Sequence, residues 1–163
     1  MLKMRLSSIL KITLVAALSV PGILSIPVSS TAAASPNIVS GALTAPPPPE
    51  EPSFHSLAAL KYIYQAAGTV SPGGGLTANV NTSTTTYKEM KSLQVEYRLE
   101  RWTGSNWVTY RSGTKSKTQT QSLTAQSTWT VITGYYYRVV STHTANDGTN
   151  SENTIHISNN VLF

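Results

Sequence analysis

The sequence predicts an all-β fold, an antiparallel β-sandwich of about seven strands. Only 12% of the residues are charged, and Ser, Thr, Asn, Gly and Tyr, which favour strands and turns, are abundant. Two segments alternate apolar and polar side chains with the two-residue period of a strand. Turn signals separate the short apolar runs at the spacing typical of a sandwich. These observations place a β-sandwich domain at residues 54–163.

Residues 1–34 predict a cleavable signal peptide. A positively charged start, formed by Lys3, Arg5 and Lys11, is followed by a mostly apolar stretch. The small residues at 32–34 match what the signal peptidase requires, so we expect cleavage after Ala34. The alternative is an uncleaved anchor, but a span of about 20 apolar residues would have to include Lys11, two serines and two prolines. We therefore expect a secreted, freely released extracellular protein with no membrane association after cleavage.

Residues 35–53 predict a proline-rich flexible linker. They contain an unbroken run of four prolines at 46–49, followed by Glu50 and Glu51. Proline lacks the backbone donor and favours the extended polyproline form, so a semi-rigid spacer or an unstructured arm is expected. The alternative is a ligand for a proline-binding partner, and we favour the linker.

Composition excludes several classes of function. Three of the twelve basic residues and none of the acids lie in the predicted signal peptide, which leaves nine basic residues against seven acids. Nucleic-acid binding needs a clustered basic patch, which this weakly basic chain lacks. The absence of cysteine excludes disulfides, zinc–thiolate sites, thiol catalysis and a lipid-anchored bacterial precursor. Because small secreted eukaryotic domains often need disulfides, this absence favours a bacterial source.

The first strands are predicted around a glycine-rich breaker at 72–75. Residues 54–67 fit both helical and strand spacing, and we favour a strand over 60–67, with helix or loop left open at 54–60. A second strand is expected at 76–86. Residues 93–111 give the clearest alternation, interrupted by a turn at 103–106. Trp102 and Trp107 flank this turn as a cross-strand aromatic pair.

The second half of the domain is predicted as a loop followed by further strands. Residues 113–120 are polar and basic and predict a loop, and residues 122–133 predict one or two strands. Residues 134–143 form a clear strand, with Tyr135 and Tyr137 on one face and Tyr136 and Arg138 on the other. A turn follows at 146–148 and a last strand at 154–161. A hairpin tip at 147–148 would pair His143 near Glu152.

Two resemblances arise from these segments. Gly134 followed by Tyr135 and Tyr137 in a late strand resembles the end of a fibronectin type III or immunoglobulin-like sandwich, which implies a tyrosine bonded to the backbone at a corner. The missing cysteine pair departs from a true immunoglobulin domain. Residues 99–107, Leu-Glu-Arg-Trp-Thr-Gly-Ser-Asn-Trp, and 134–139, Gly-Tyr-Tyr-Tyr-Arg-Val, resemble uncharacterised small secreted proteins of Gram-positive bacteria, classed as a domain of unknown function. That second resemblance would cover residues 62–163 and implies no activity.

No catalytic or metal-binding constellation emerges from the sequence. Glu96 and Glu100 share a predicted face, but their backbones lie about 13 Å apart, too far for a glycosidase pair, and we interpret them as a solvated charge ladder around Arg98. The histidines, His55, His143 and His156, lack a third metal ligand at the usual spacing. A Ser/His/Asp triad would need the sole aspartate, at a loop tip. We therefore expect no enzyme, no metal and no cofactor.

The aromatic residues predict a binding surface formed by Trp102, Trp107, Tyr136 and Arg138. Sugar rings stack on exposed aromatic faces, although these rings could instead fill the core. Since consecutive tyrosines alternate faces, we expect at least one tyrosine to lie on the surface beside Arg138. The predicted function is a non-enzymatic, secreted extracellular or cell-envelope interaction module that binds carbohydrate, a cell-wall polymer or another surface protein. A bacteriocin-like toxin and a small hydrolase are the alternatives, and the oligomeric state is left open.

Overall fold

The computed structural model describes residues 40–49 and 60–163, and this part of the chain is all-β, with 70% of it in strands and no helix. The strands are β1 (Ile63–Pro72), β2 (Thr77–Trp102), β3 (Trp107–Thr130), β4 (Tyr136–Asn146), β5 (Ser151–Ile157) and β6 (Val161–Leu162). The predicted all-β class is therefore confirmed. The predicted signal peptide and the helix-or-loop question at residues 54–60 fall, except for Leu60, outside the described residues. Nothing within them is helical, long and apolar enough to span a membrane.

All six strands belong to one antiparallel sheet organised by β2. The first half of β2 pairs with β1 and its second half with β4, while β3 runs along the opposite edge of both halves. β5 and β6 then pair with β4. The register of β2 against β3 is irregular between Thr85 and Met90, and such irregularities bend a strand and increase its twist. The sheet is partly curled into a half-barrel.

The core lies on the inner face of the curled sheet. In the second half of β2, Leu93, Val95 and Leu99 are fully buried at alternate positions, as the sequence pattern predicts. Burying each such side chain stabilises the fold by about 1.5–3 kcal/mol. Tyr137 and Val139 bury the matching face of β4. One face of β4 thus packs in the core, while Arg138, described below, lies on the other face.

β3 corrects the predicted loop at residues 113–120. These residues are strand, paired with β2 from Gly113 opposite Tyr97 to Thr120 opposite Met90. Gly113 fits because the Tyr97 ring lies over it: a Cβ at this glycine would come within 2.7 Å of that ring. The predicted strands at 76–86 and 93–102 also merge into β2, so the described residues contain six strands. Polar composition suggested a loop here, but the pairing with β2 makes it an edge strand.

The turn between β4 and β5 is longer than predicted. Asn146 pairs with Ser151, so the turn holds Asp147 to Asn150, and His143 pairs with Thr154 rather than near Glu152. Asp147 Oδ1 accepts the backbone N–H groups of Thr149 at 2.9 Å and Asn150 at 2.8 Å. The pKa of Asp147 is lowered by these bonds, most strongly by the one from Asn150, and by a further bond from the Tyr62 hydroxyl. The aspartate therefore stabilises a turn of four residues.

Two further side chains, those of Glu152 and Tyr137, join distant or neighbouring segments through hydrogen bonds to the backbone. Burial opposes ionisation of Glu152, but the backbone N–H groups of Lys61, Tyr62 and Ile63 bind its carboxylate and lower its pKa overall. The Tyr137 hydroxyl accepts the Ile132 N–H and donates to the Ile132 carbonyl, both at 3.1 Å, while burial raises its pKa. These two bonds tie the start of β4 to the backbone five residues before it.

Candidate ligand-binding groove

Trp102 and Trp107 pair directly across the hairpin that joins β2 and β3. Their ring centroids lie 5.4 Å apart with the planes tilted by 55°. The turn between them is closed by the Thr103 N–H, which donates to the Asn106 carbonyl at 3.0 Å. Gly104 occupies the left-handed region at φ +100°, which glycine adopts most readily. The predicted turn and its cross-strand aromatic pair are confirmed.

Arg138 on β4 completes a cluster with Trp107. Its guanidinium carbon lies 4.3 Å from the centre of the Trp107 ring, a distance that suits attraction between a cation and an aromatic face. Glu100 Oε2 accepts from Arg138 Nε at 2.8 Å, and Oε1 accepts from Arg98 Nε at 2.6 Å. Because only 7% of the Glu100 side chain is exposed, this buried carboxylate holds Arg138 over the tryptophan.

Glu100 was interpreted from the sequence as part of a solvated charge ladder, and that interpretation is wrong for this residue. Glu96 is exposed, but Glu100 is buried between two arginines. The sequence shows Arg98 two positions away, whereas Arg138 arrives only because β4 pairs Arg138 opposite Glu100. Glu100 is therefore a positioning residue that no local signal in the sequence could identify.

Residues 40–49, part of the predicted linker, lie against the same end of the sheet. The indole N–H of Trp102 donates to the Ala45 carbonyl at 3.0 Å, and the Leu43 N–H donates to the Gly134 carbonyl at 2.6 Å. A groove of about 390 Å³ is lined here by Pro48, Pro49, Trp102, Ser105, Asn106, Trp107 and Arg138. We refer to this cleft as the tryptophan groove. Its walls come from β2, β3 and β4, the turn that connects β2 to β3, and the proline run.

Tyr136 is buried, and the expectation that it lies on the surface is wrong. Only 6% of it is exposed, and Tyr137 is fully buried on the opposite face. Both faces of β4 are covered at this point. Arg101 of β2 pairs with Tyr137 of β4, so the next residue of β2, Trp102, lies on the outer face with Tyr136. Trp102 is also buried, and its indole N–H donates to the Ala45 carbonyl. Tyr136 thus shares the face of the groove without presenting its ring to solvent.

A second polar cluster lies on the inner face of β4. His143 is fully buried, with Nδ1 2.7 Å from Thr84 Oγ1 and Nε2 2.8 Å from Ser141 Oγ. Burial, and secondarily the nearby His156, lower the pKa of His143 to about 4. The histidine is therefore neutral near pH 7. Since Ser141 also has no exposed surface, the serine–histidine contact satisfies buried polar atoms instead of facing a substrate.

The remaining candidates for metal or acid–base chemistry stay apart. Asp147 and Glu152 are engaged by the backbone bonds described above, and His55 lies outside the described residues. In residues 40–49 and 60–163, no group of three or more His, Asp or Glu side chains could hold a metal ion. Of the four residues predicted for binding, the groove therefore combines Trp102, Trp107 and Arg138, while Tyr136 is buried on the same face. Searches of protein-family models, curated proteins and solved structures found no match to this chain.

Proposed function

We propose that this chain is a secreted, non-enzymatic interaction module that binds its ligand in the tryptophan groove. The observation that supports the proposal is the fixed position of Arg138, held by the buried carboxylate of Glu100 above the Trp107 ring. A rigid aromatic face beside an oriented cation is a typical anchor of binding interfaces, where Trp and Arg are over-represented. Trp107 is only half-buried, so part of its ring is available to a ligand.

The polar rim of the groove supports the carbohydrate or cell-wall polymer predicted from the sequence. The C–H edges of a sugar complement the face of an aromatic ring. Ser105 and Asn106 sit in the exposed hairpin turn beside that ring, and their side chains can donate and accept hydrogen bonds with sugar hydroxyls. Arg138 adds donors only. An insoluble wall polymer or a polysaccharide is therefore the first class of ligand to test.

Secretion is part of the same proposal. We propose that residues 1–34 direct export and are removed after Ala34, which leaves a weakly basic extracellular protein. Amino-terminal sequencing of the protein recovered from culture medium tests this, and a start far from Ser35 would contradict it. The finer prediction for the fold, an immunoglobulin- or fibronectin-like sandwich, also stays a prediction, for which an experimental structure is the test.

A pull-down on insoluble cell wall and common polysaccharides tests the binding function. The purified protein should sediment with the polymer, and Trp107→Ala together with Arg138→Ala should reduce the bound fraction at least about tenfold, the loss of about 1.4 kcal/mol. Tyr64→Ala together with Tyr87→Ala is the matched control, because these rings form an exposed edge-to-face pair elsewhere, 5.4 Å apart. Equal binding by both double variants would contradict the groove as the site.

A further inference from the structure

A proline-rich segment of this chain forms one wall of the tryptophan groove. Residues 45–49 read Ala-Pro-Pro-Pro-Pro, and Pro48 and Pro49 line the groove beside the paired tryptophans. We propose that the groove is a binding site for proline-rich peptide segments in the polyproline II conformation, and that Ala45–Pro49 is its built-in ligand. This inference rests on the proposed function of the groove as a ligand site, and it names proline-rich peptide as a ligand class in addition to the carbohydrate proposed above.

The proline run has one preferred conformation. Each proline fixes φ near −65°, and each residue that precedes a proline is driven away from the helical region. Ala45, Pro46, Pro47 and Pro48 all precede a proline, so both restrictions act together on most of the run. The result is the polyproline II helix, which makes no internal hydrogen bonds. Its carbonyl oxygens are therefore free to accept bonds from a partner.

The groove supplies the two contacts by which such helices are recognised. Polyproline II segments dock on aromatic-lined grooves, and here the walls are the Trp102 and Trp107 rings. A donor must also reach a free backbone carbonyl, and the Trp102 indole N–H does so at Ala45, at 3.0 Å. The indole N–H can only donate. The buried tryptophan is thus fixed in the orientation that a proline-rich backbone requires.

The preceding residues hold the segment in place. Leu43 donates its N–H to the Gly134 carbonyl at 2.6 Å, and Gly134 itself adopts φ +82°. A Cβ at Gly134 would lie 2.5 Å from Leu43 Cγ, so the absence of a side chain permits this close approach. Pro48 and Pro49 remain exposed, whereas Ala45 and the prolines at 46 and 47 are half-buried. The built-in ligand is therefore tethered firmly before the groove and lies open at its far end.

Because residues 45–49 are covalently linked to the domain, they compete with an external peptide for the groove. A linked ligand acts at an effective concentration in the millimolar range. An external proline-rich peptide with an intrinsic dissociation constant of about 0.1 mM would therefore appear about tenfold weaker on the intact chain. Proline-rich partners would bind well only where they displace residues 45–49.

The test uses the full chain and a fluorescent peptide with the sequence of residues 40–49. The first variant replaces the built-in prolines, Pro46→Ser, Pro47→Ser, Pro48→Ser and Pro49→Ser. By fluorescence anisotropy, this variant should bind the peptide about tenfold tighter than the native chain. Adding Trp107→Ala should abolish the binding, and a peptide with serines in place of the prolines should not bind. Absence of peptide binding to the variant, or equal affinity for both chains, would overturn the proposal.

A second measurement does not depend on the affinity difference. The Trp102 indole proton should show a hydrogen-bonded NMR resonance in the native chain, lose it in the four-serine variant, and regain it when the peptide is added. An unchanged resonance throughout would overturn the proposal even if the variant is folded. Wall binding without peptide binding would overturn this inference alone, whereas the loss of both would remove the proposed function as well.

Discussion

The two faces of β4 hold two polar clusters of similar size and different character. On the outer face, Arg138 joins Glu100 and Trp107, and on the inner face, His143 joins Ser141 and Thr84. The inner cluster is closed: both ring nitrogens of His143 have partners and its side chain has no exposed surface. The outer cluster ends at a half-buried tryptophan in a groove. A closed cluster can only stabilise the fold, whereas an open one can also bind a ligand.

Removing the centre of the closed cluster should have the largest effect on stability. His143→Ala would leave a cavity and two buried hydroxyls without their ring partner, and should lower the free energy of unfolding by about 3 kcal/mol. Urea denaturation measures this change. The same variant should retain ligand binding under conditions where it is folded. A loss below about 1 kcal/mol, or a loss of binding by folded protein, would contradict the division between the clusters.

Acidification should weaken the same cluster without any mutation. Burial lowers the pKa of His143 from 6.5 to about 4, so between these values the unfolded chain binds a proton that the folded chain does not. Stability should be unaffected above pH 6.5 and should fall by up to about 3 kcal/mol as the pH drops to 4. Urea denaturation at successive pH values gives the curve.

The control for this pH dependence is His143→Leu, which should flatten most of the slope. His156, whose pKa burial also lowers, should leave a smaller loss of the same sign. Asp147 and Glu152 have lowered pKa values, so their contributions disappear at more acidic pH, as their carboxylates become protonated. A slope between pH 6.5 and 4 that is identical in His143→Leu would show that His143 is not its source.

Glu100 links stability and binding, and its replacement should give an intermediate effect. Glu100→Gln keeps the size of the side chain but removes the charge that pairs with Arg98 and Arg138. We expect a loss of about 2 kcal/mol in unfolding free energy, together with weaker ligand binding, because Arg138 loses its support. The exposed Glu96→Gln is the matched control and should change neither quantity. Normal ligand affinity in Glu100→Gln would contradict a positioning role.

Trp107 should show the smallest change in stability and the clearest change in binding. Trp107→Ala removes the contacts with Trp102 and Arg138, worth about 1 kcal/mol together at a half-exposed site. Ligand binding should nevertheless be lost. Thermal unfolding and the pull-down, run on the same preparation, separate the two effects. A large loss of stability would indicate that the open cluster is structural after all.

Local patterns predicted the local features of this protein. The alternation of Leu93, Val95 and Leu99 gave the buried face of β2, and the turn at residues 103–106 gave the tryptophan pair. The failures all depend on pairing between distant residues. Glu100 seemed solvated because Arg138 lies 38 positions away, and Tyr136 seemed exposed because nothing in its own strand shows what covers the outer face. The polar residues 113–120 carry no apolar face that would have identified a strand.

The merging of two predicted strands into β2 has a related cause. Residues 86–89 interrupt the regular pairing between β2 and β3. Their sequence, Thr-Tyr-Lys-Glu, does not alternate apolar and polar side chains. A pattern that loses its period looks like the end of a strand. Here it marks the bend at which one strand passes between the two halves of the sheet. The sequence therefore indicated where the bend is but not that the chain continues through it.

The basic character of β3 bears on how this protein avoids aggregation. Within the described part of the chain, β3 pairs with β2 alone, so this 24-residue strand is an edge of the sheet. Such edges can template the addition of strands from other molecules, and lysine side chains oppose it. Lys115 and Lys117 stand on this edge, near Arg111, and all three are exposed. We therefore expect these basic residues, in the segment predicted as a loop, to oppose the addition of a strand from a second molecule to this edge.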